Sequence, residues 1–165
     1  MIKEKYTIKD FLPLIAIFTG IIILSVLWIN AFPGGFMRWM EIFMGLFFIT
    51  FGLLKVINLK GFKDAYLMYD IVAMKCPKYG YLYPFIELAL GVLYLASLFP
   101  VFTNIATLVV MSVSALGVYL KLRKKEKIMC ACLGVVFKVP MTWVTLAEDL
   151  LMAGMALVML LLMFN

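Results

Sequence analysis

Apolar residues in this chain fall into long runs separated by short polar clusters. The first run, FLPLIAIFTGIIILSVLWI, covers 11–29, and further runs cover 37–57, 83–99, 103–121 and 142–164. A helix needs roughly 20 apolar residues to cross the hydrocarbon core of a bilayer, so the pattern predicts five spans. The third opens with Pro84, and only PVFT separates it from the fourth, as in a tight helical hairpin. Between the second and third runs, Phe62, Ala65, Tyr66, Tyr69 and Val72 or Ala73 recur at helical spacing opposite Lys63, Asp64 and Asp70. That periodicity predicts an amphipathic helix lying in the membrane interface over about 60–75. Cys76-Pro77 should end it, because the residue before proline disfavours helical dihedrals.

Composition agrees. Of the 165 residues 66% are hydrophobic and 15% charged, against about 45–50% and about 25% in soluble domains. The expected fold is an all-α polytopic membrane protein. Residues 1–10 would form a cytoplasmic N-terminus and 11–165 a single membrane domain. The first run is longer than a signal-peptide core and no A-x-A-like cleavage site follows it, so an uncleaved anchor is expected.

Charge adds orientation. The formal net charge is +6, but the positive residues flank apolar runs, which points to anionic lipid headgroups and argues against nucleic acid. With the N-terminus in the cytoplasm, 14 of the 15 Lys and Arg residues fall inside, and only Arg38 lies at an outer end. The positive-inside rule then places all three cysteines on the cytoplasmic face and the C-terminus outside. A bacterial inner membrane is the expected location.

Candidate chemistry is narrow. Histidine is absent, which removes imidazole bases, His-dependent triads and the usual His-bearing zinc sites. Within the spans, Lys55, Glu87 and Glu148 fall at similar depth, Glu148 about 9 Å in at 1.5 Å per residue. Glu41 lies at the other end of its span beside Arg38 and is expected to pair with it or face water. Glu148 and Asp149 point about 100° apart, and Glu148 is the one expected to face inward. Buried charges of this kind either fix helix register or carry protons along a functional path.

Small residues mark expected helix contacts: Gly45 and Gly52, then Ser114, Ala115 and Gly117, then Ala153, Gly154 and Ala156. The cysteines are Cys76, Cys130 and Cys132, an odd number that leaves one thiol after any internal disulfide. Lys124, Lys125 and Lys127 precede Cys130 and favour its thiolate. Three readings stay open. The thiols exchange disulfides, they bind a soft ion such as Cu(I), or they are inert small hydrophobes. A disulfide within Cys130-Ala131-Cys132 would close a very small, strained and easily reduced ring.

Three stretches also resemble the DoxX-like membrane proteins and their MauE branch. GLFFITFGLLKVINLKGF carries a G-x-x-K pattern through Gly52 and Lys55, preceded by Phe48 and Phe51. YPFIELALGVLYL carries E-x-x-x-G through Glu87 and Gly91. CACLGVVFKVPMTWVTLAEDLLM carries C-x-C-x-G through Cys130, Cys132 and Gly134. The resemblance covers about 37–163 and implies a four-helix membrane bundle, thioredoxin-like partners and disulfide chemistry. The chain departs from it in an added N-terminal helix, in Leu133 where an aromatic residue is usual, and in the acidic pair Glu148-Asp149. The resemblance favours a thiol–disulfide role for Cys130 and Cys132, with Cys76, and with Lys55, Glu87, Glu148 and Glu41 as supporting polar residues. A thioredoxin-like protein or a quinone would be the partner. The alternatives are a soft-metal or small-solute transporter or chaperone, and a non-catalytic scaffold of a redox complex.

Overall fold

A computed structural model of the chain describes residues 8–124, 129–130, 133, 139–140 and 143–164; side chains at 8–10, 129–130 and 139–140 are outside that description. The elements are α1 (Ile8–Ala31), α2 (Gly35–Ile57), α3 (Leu59–Tyr66), α4 (Ile71–Lys75), α5 (Pro77–Leu95), α6 (Pro100–Arg123), β1 (Met129–Cys130), β2 (Val139–Pro140) and α7 (Trp143–Phe164). The protein is an all-α polytopic membrane protein, whose only described strands are two residues long.

Among the described residues, α1, α2, α6 and α7 are long and apolar enough to cross a membrane. α5 has 19 residues, about 28 Å at 1.5 Å per residue. Its first turns carry Lys78, two tyrosines and Gly80, which lower its hydropathy. It nevertheless lies lengthwise along α2. A Cβ on Gly91 would sit 3.0 Å from the Ile49 backbone nitrogen, and one on Gly52 would sit 3.2 Å from the Pro84 carbonyl oxygen. Glycine at these positions lets the two backbones approach, as expected where lipid supplies no hydrophobic drive between helices. α6 and α7 form the second close pair, and α1 packs against α2.

Three boundaries differ from the pattern reading. α5 begins at Pro77, seven residues before Pro84, because proline at the first helical position forfeits no hydrogen bond. Pro84 is then inside the helix. The α5–α6 turn falls at 96–99, not at PVFT, and α6 starts at Pro100. Ser97 and Phe99 adopt positive φ there, 51° and 47°. Finally, the interfacial segment 60–75 is two helices with a break at 67–70. Asp70 causes the break: its carboxylate accepts hydrogen bonds from the Val72 and Ala73 amides (3.0 and 2.7 Å) and caps α4.

That segment turns inward. Phe62, Tyr66, Tyr69, Asp70 and Ala73 are all buried, and Asp70 belongs to the interior and not to the polar face with Lys63 and Asp64. α4 packs on both α5 and α6, and a Cβ on Gly117 of α6 would lie 2.6 Å from the Tyr69 carbonyl oxygen. The pair α3–α4 thus plugs one end of the bundle.

Candidate functional site

Beneath that plug is a polar cavity of about 20 Å³, lined by residues of α2, α3, α5, α6 and α7 and by Tyr69 of the α3–α4 break. Such a volume has room for about one water. Lys55 from the last turn of α2 donates a hydrogen bond to Glu87 Oε1 of α5, and both side chains are almost wholly buried. The Lys55 ammonium also lies 5.0 Å from the Tyr83 ring centre and 5.6 Å from that of Phe62. Ring faces stabilise a desolvated cation, so Phe62 of the amphipathic segment and Tyr83 of α5 together cover this lysine. The second oxygen of Glu87, Oε2, is buried with no hydrogen-bond partner among the described residues.

Glu148 of α7 lines the same cavity, as the pattern reading expects. Asp149 does too, although only one of the consecutive pair was expected to point inward. Ser114 of α6 makes the difference by donating a 3.0 Å hydrogen bond to Asp149 Oδ2. Two side chains about 100° apart reach one cavity because it extends across the α6–α7 seam. One lysine therefore faces three carboxyl groups.

Tyr66 also lines the cavity and is held there by Asp70, which the pattern reading does not identify. The Tyr66 hydroxyl donates to Asp70 Oδ2 at 2.9 Å. Burial, and then the neighbouring Tyr83 and Asp70, push the Tyr66 phenol well above its usual range, so it remains a donor. The available signal was the i, i+4 spacing of a tyrosine and an aspartate, but the same spacing fits an ordinary exposed helix face.

Glu41 is not part of this cluster. It is 14 positions from Lys55 on α2, about 21 Å along the axis. There it accepts from Arg38 (2.8 Å) and from Ser97 Oγ (2.6 Å). Arg38 also donates to the Leu95 carbonyl at 2.9 Å and to Ser97. The expected Arg38–Glu41 pair exists, and it fastens α2 to the strained α5–α6 turn.

Cys76 is exposed, between the end of α4 and the first turn of α5. Cys130 lies in β1, paired across to Val139, and β1 lies beside α3. Cys132 is outside the described residues, and so are the side chain of Cys130 and any contact among the three thiols. Leu133, next to Cys132, is 1% exposed and belongs to the core. It ties the cysteine segment to the bundle by burial of an apolar side chain. No group of three Cys, Asp or Glu side chains among the described residues is arranged to hold a metal ion.

No curated protein and no solved structure matches the chain. The family described as methylamine utilisation protein MauE matches residues 33–162, a range that begins just after α1 and takes in the cavity, the C-x-C segment and α7 up to Leu162. A membrane protein built on this bundle, with these residues matched over most of its length, belongs to the MauE family.

Proposed function

We propose that the protein takes part in thiol–disulfide exchange at the cytoplasmic face of a bacterial inner membrane. Cys130 and Cys132 are the exchanging pair, Cys76 assists, and the electron partner is a thioredoxin-like protein or a quinone. The observation that carries this reading is spatial. Exposed Cys76 and the backbone of Cys130 border the same α3–α4 plug that covers the Lys55–Glu87 pair. A charged cluster next to nucleophilic thiols supplies groups that can take up and return protons.

In the exchange, a thiolate of this chain attacks the partner's disulfide and releases one partner thiolate. The second thiol of the chain then resolves the mixed disulfide. The chain ends with a disulfide and the partner with two thiols, so electrons and protons balance. A cytoplasmic C-x-C sits in a reducing compartment, which makes this disulfide a transient one.

Thiol trapping of the purified protein with and without reductant, together with metal analysis, tests the reading. A reversible disulfide without bound metal is the expected result. Bound copper with all thiols blocked would replace it with soft-ion handling by the same cysteines. Unreactive thiols that all tolerate serine would leave a scaffold role.

A further inference from the structure

The three carboxyl groups that face Lys55 are not equivalent. Glu87 Oε1 accepts a hydrogen bond from the Lys55 ammonium, and Asp149 Oδ2 accepts one from Ser114. Glu148 has no such donor. Its side chain makes no hydrogen bond or ion pair with the described residues, yet the residue is only 7% exposed. Away from the cavity it meets Leu14, Ile15 and Phe18 of α1, which offer neither charge nor hydrogen bond. One ammonium balances one carboxylate, and a buried carboxylate without a partner is costly enough that the group takes up a proton instead.

A second atom completes the site. Glu87 Oε2 is buried with no hydrogen-bond partner among the described residues, and Glu87 lines the same cavity as Glu148. That cavity, about 20 Å³, has room for about one water. A water there can donate to Glu87 Oε2 and accept from a protonated Glu148, so both vacant positions are filled by a single molecule.

We propose that the cavity is a proton-exchange site, in which Glu148 holds one proton and a single water links it to Glu87 Oε2. In a transfer the O–H bond at Glu148 breaks and its proton joins the water. A proton of that water bonds to Glu87 Oε2, so the water is regenerated and the negative charge moves from Glu87 to Glu148. Lys55 keeps its protons and balances whichever carboxylate is charged. The other groups that line the cavity are Tyr66 of α3, Tyr69 of the α3–α4 break, Tyr83 of α5, Ser114 of α6 and Asp149 of α7. The tyrosines and the serine add hydroxyls without charge, and Asp149 has Ser114 as its donor. Glu148 is thus the group whose proton is exchanged. The site specifies which carboxyl takes up and returns protons in the thiol reading above, but it exists whether or not the thiols react.

Infrared difference spectra between neutral and alkaline buffer test the proposal, since a protonated carboxyl has a C=O stretch above the amide bands. Dodecyl maltoside suits the measurement because it contributes no ester carbonyl. The native chain should show such a band in neutral buffer, lost in alkaline buffer and shifted to lower frequency in D2O. Glu148→Gln should abolish it, and Glu148→Asp, which keeps a carboxyl on a shorter arm, should retain it at a different frequency. A Cys130→Ser/Cys132→Ser variant should keep the native band, so failure of the thiol reading and failure of this one are separable. A native chain without the band would overturn the proposal. So would a band that survives Glu148→Gln, that is unmoved by Glu148→Asp, or that does not shift in D2O.

Discussion

Replacing Lys55 asks how much charge this bundle tolerates within its interior. Its ammonium is buried against Glu87 and two aromatic rings, and Glu87 Oε2 already lacks a hydrogen-bond partner among the described residues. Lys55→Ala strands the carboxylate, and loss of one member of a buried pair typically costs about 3–5 kcal/mol. The paired change Lys55→Met with Glu87→Leu removes both charges and should destabilise much less than Lys55→Ala alone. Denaturant unfolding in a mild detergent measures both variants. A double variant weaker than Lys55→Ala would mean that the pair fixes the α2–α5 register and is not merely tolerated. The same sites illustrate what a residue's sequence position conveys. Depth along each helix brings Lys55, Glu87 and Glu148 to one level in advance. The Ser114–Asp149 bond depends on how α6 is rotated against α7, which neither helix encodes alone.

At the scale of elements, glycine has a different meaning at each position. Gly117 lies under the Tyr69 carbonyl, where a Cβ would sit 2.6 Å from backbone. Among the described residues nothing lies within 4 Å of a Cβ on Gly154, so the expected helix contact there is not found among them. Gly117→Ala should force the α3–α4 plug away from α6 and destabilise by about 1–3 kcal/mol, the usual range for overpacking. Gly154→Ala should be neutral or stabilising by up to about 1 kcal/mol, through helix propensity alone. Thermal unfolding of the two variants side by side checks the order; equal effects would refute the packing argument. The amphipathic segment carries a related lesson. Its periodicity marks one face as apolar, but a continuous helix and two capped helices share that periodicity. Asp70 decides between them because its side chain competes with the helix for backbone amides.

At the scale of the molecule, α1 is peripheral. Only 17% of its most apolar window is buried, against 61% for α2, and the family match begins after it. Its packing on α2 but not closely on α7 leaves an apolar groove between α1 and α7. Orientation also belongs to this scale. The proposed cytoplasmic thiol face puts exposed Cys76 out of reach of a membrane-impermeant maleimide in intact cells. A Cys130→Ser/Cys132→Ser variant should therefore be modified only in inverted vesicles. Labelling in intact cells would invert the map and place the basic clusters outside.

The sequence by itself determined the class of this protein and the elements it is made of. Long apolar runs can leave water only by entering a bilayer or a packed core, and in a bilayer their backbone groups must be satisfied within helices. It also put Lys55, Glu87 and Glu148 at one level and set Glu41 beside Arg38, since rise per residue is constant. Tertiary structure alone decided the rest. Asp149 joins Glu148 because the cavity crosses a helix seam, Glu41 is excluded by distance, and Phe62 of an apparent surface helix covers a buried lysine together with Tyr83 of α5. Such outcomes depend on helix rotation and separation, which small side chains at a few crossings control. Local periodicity does not record them.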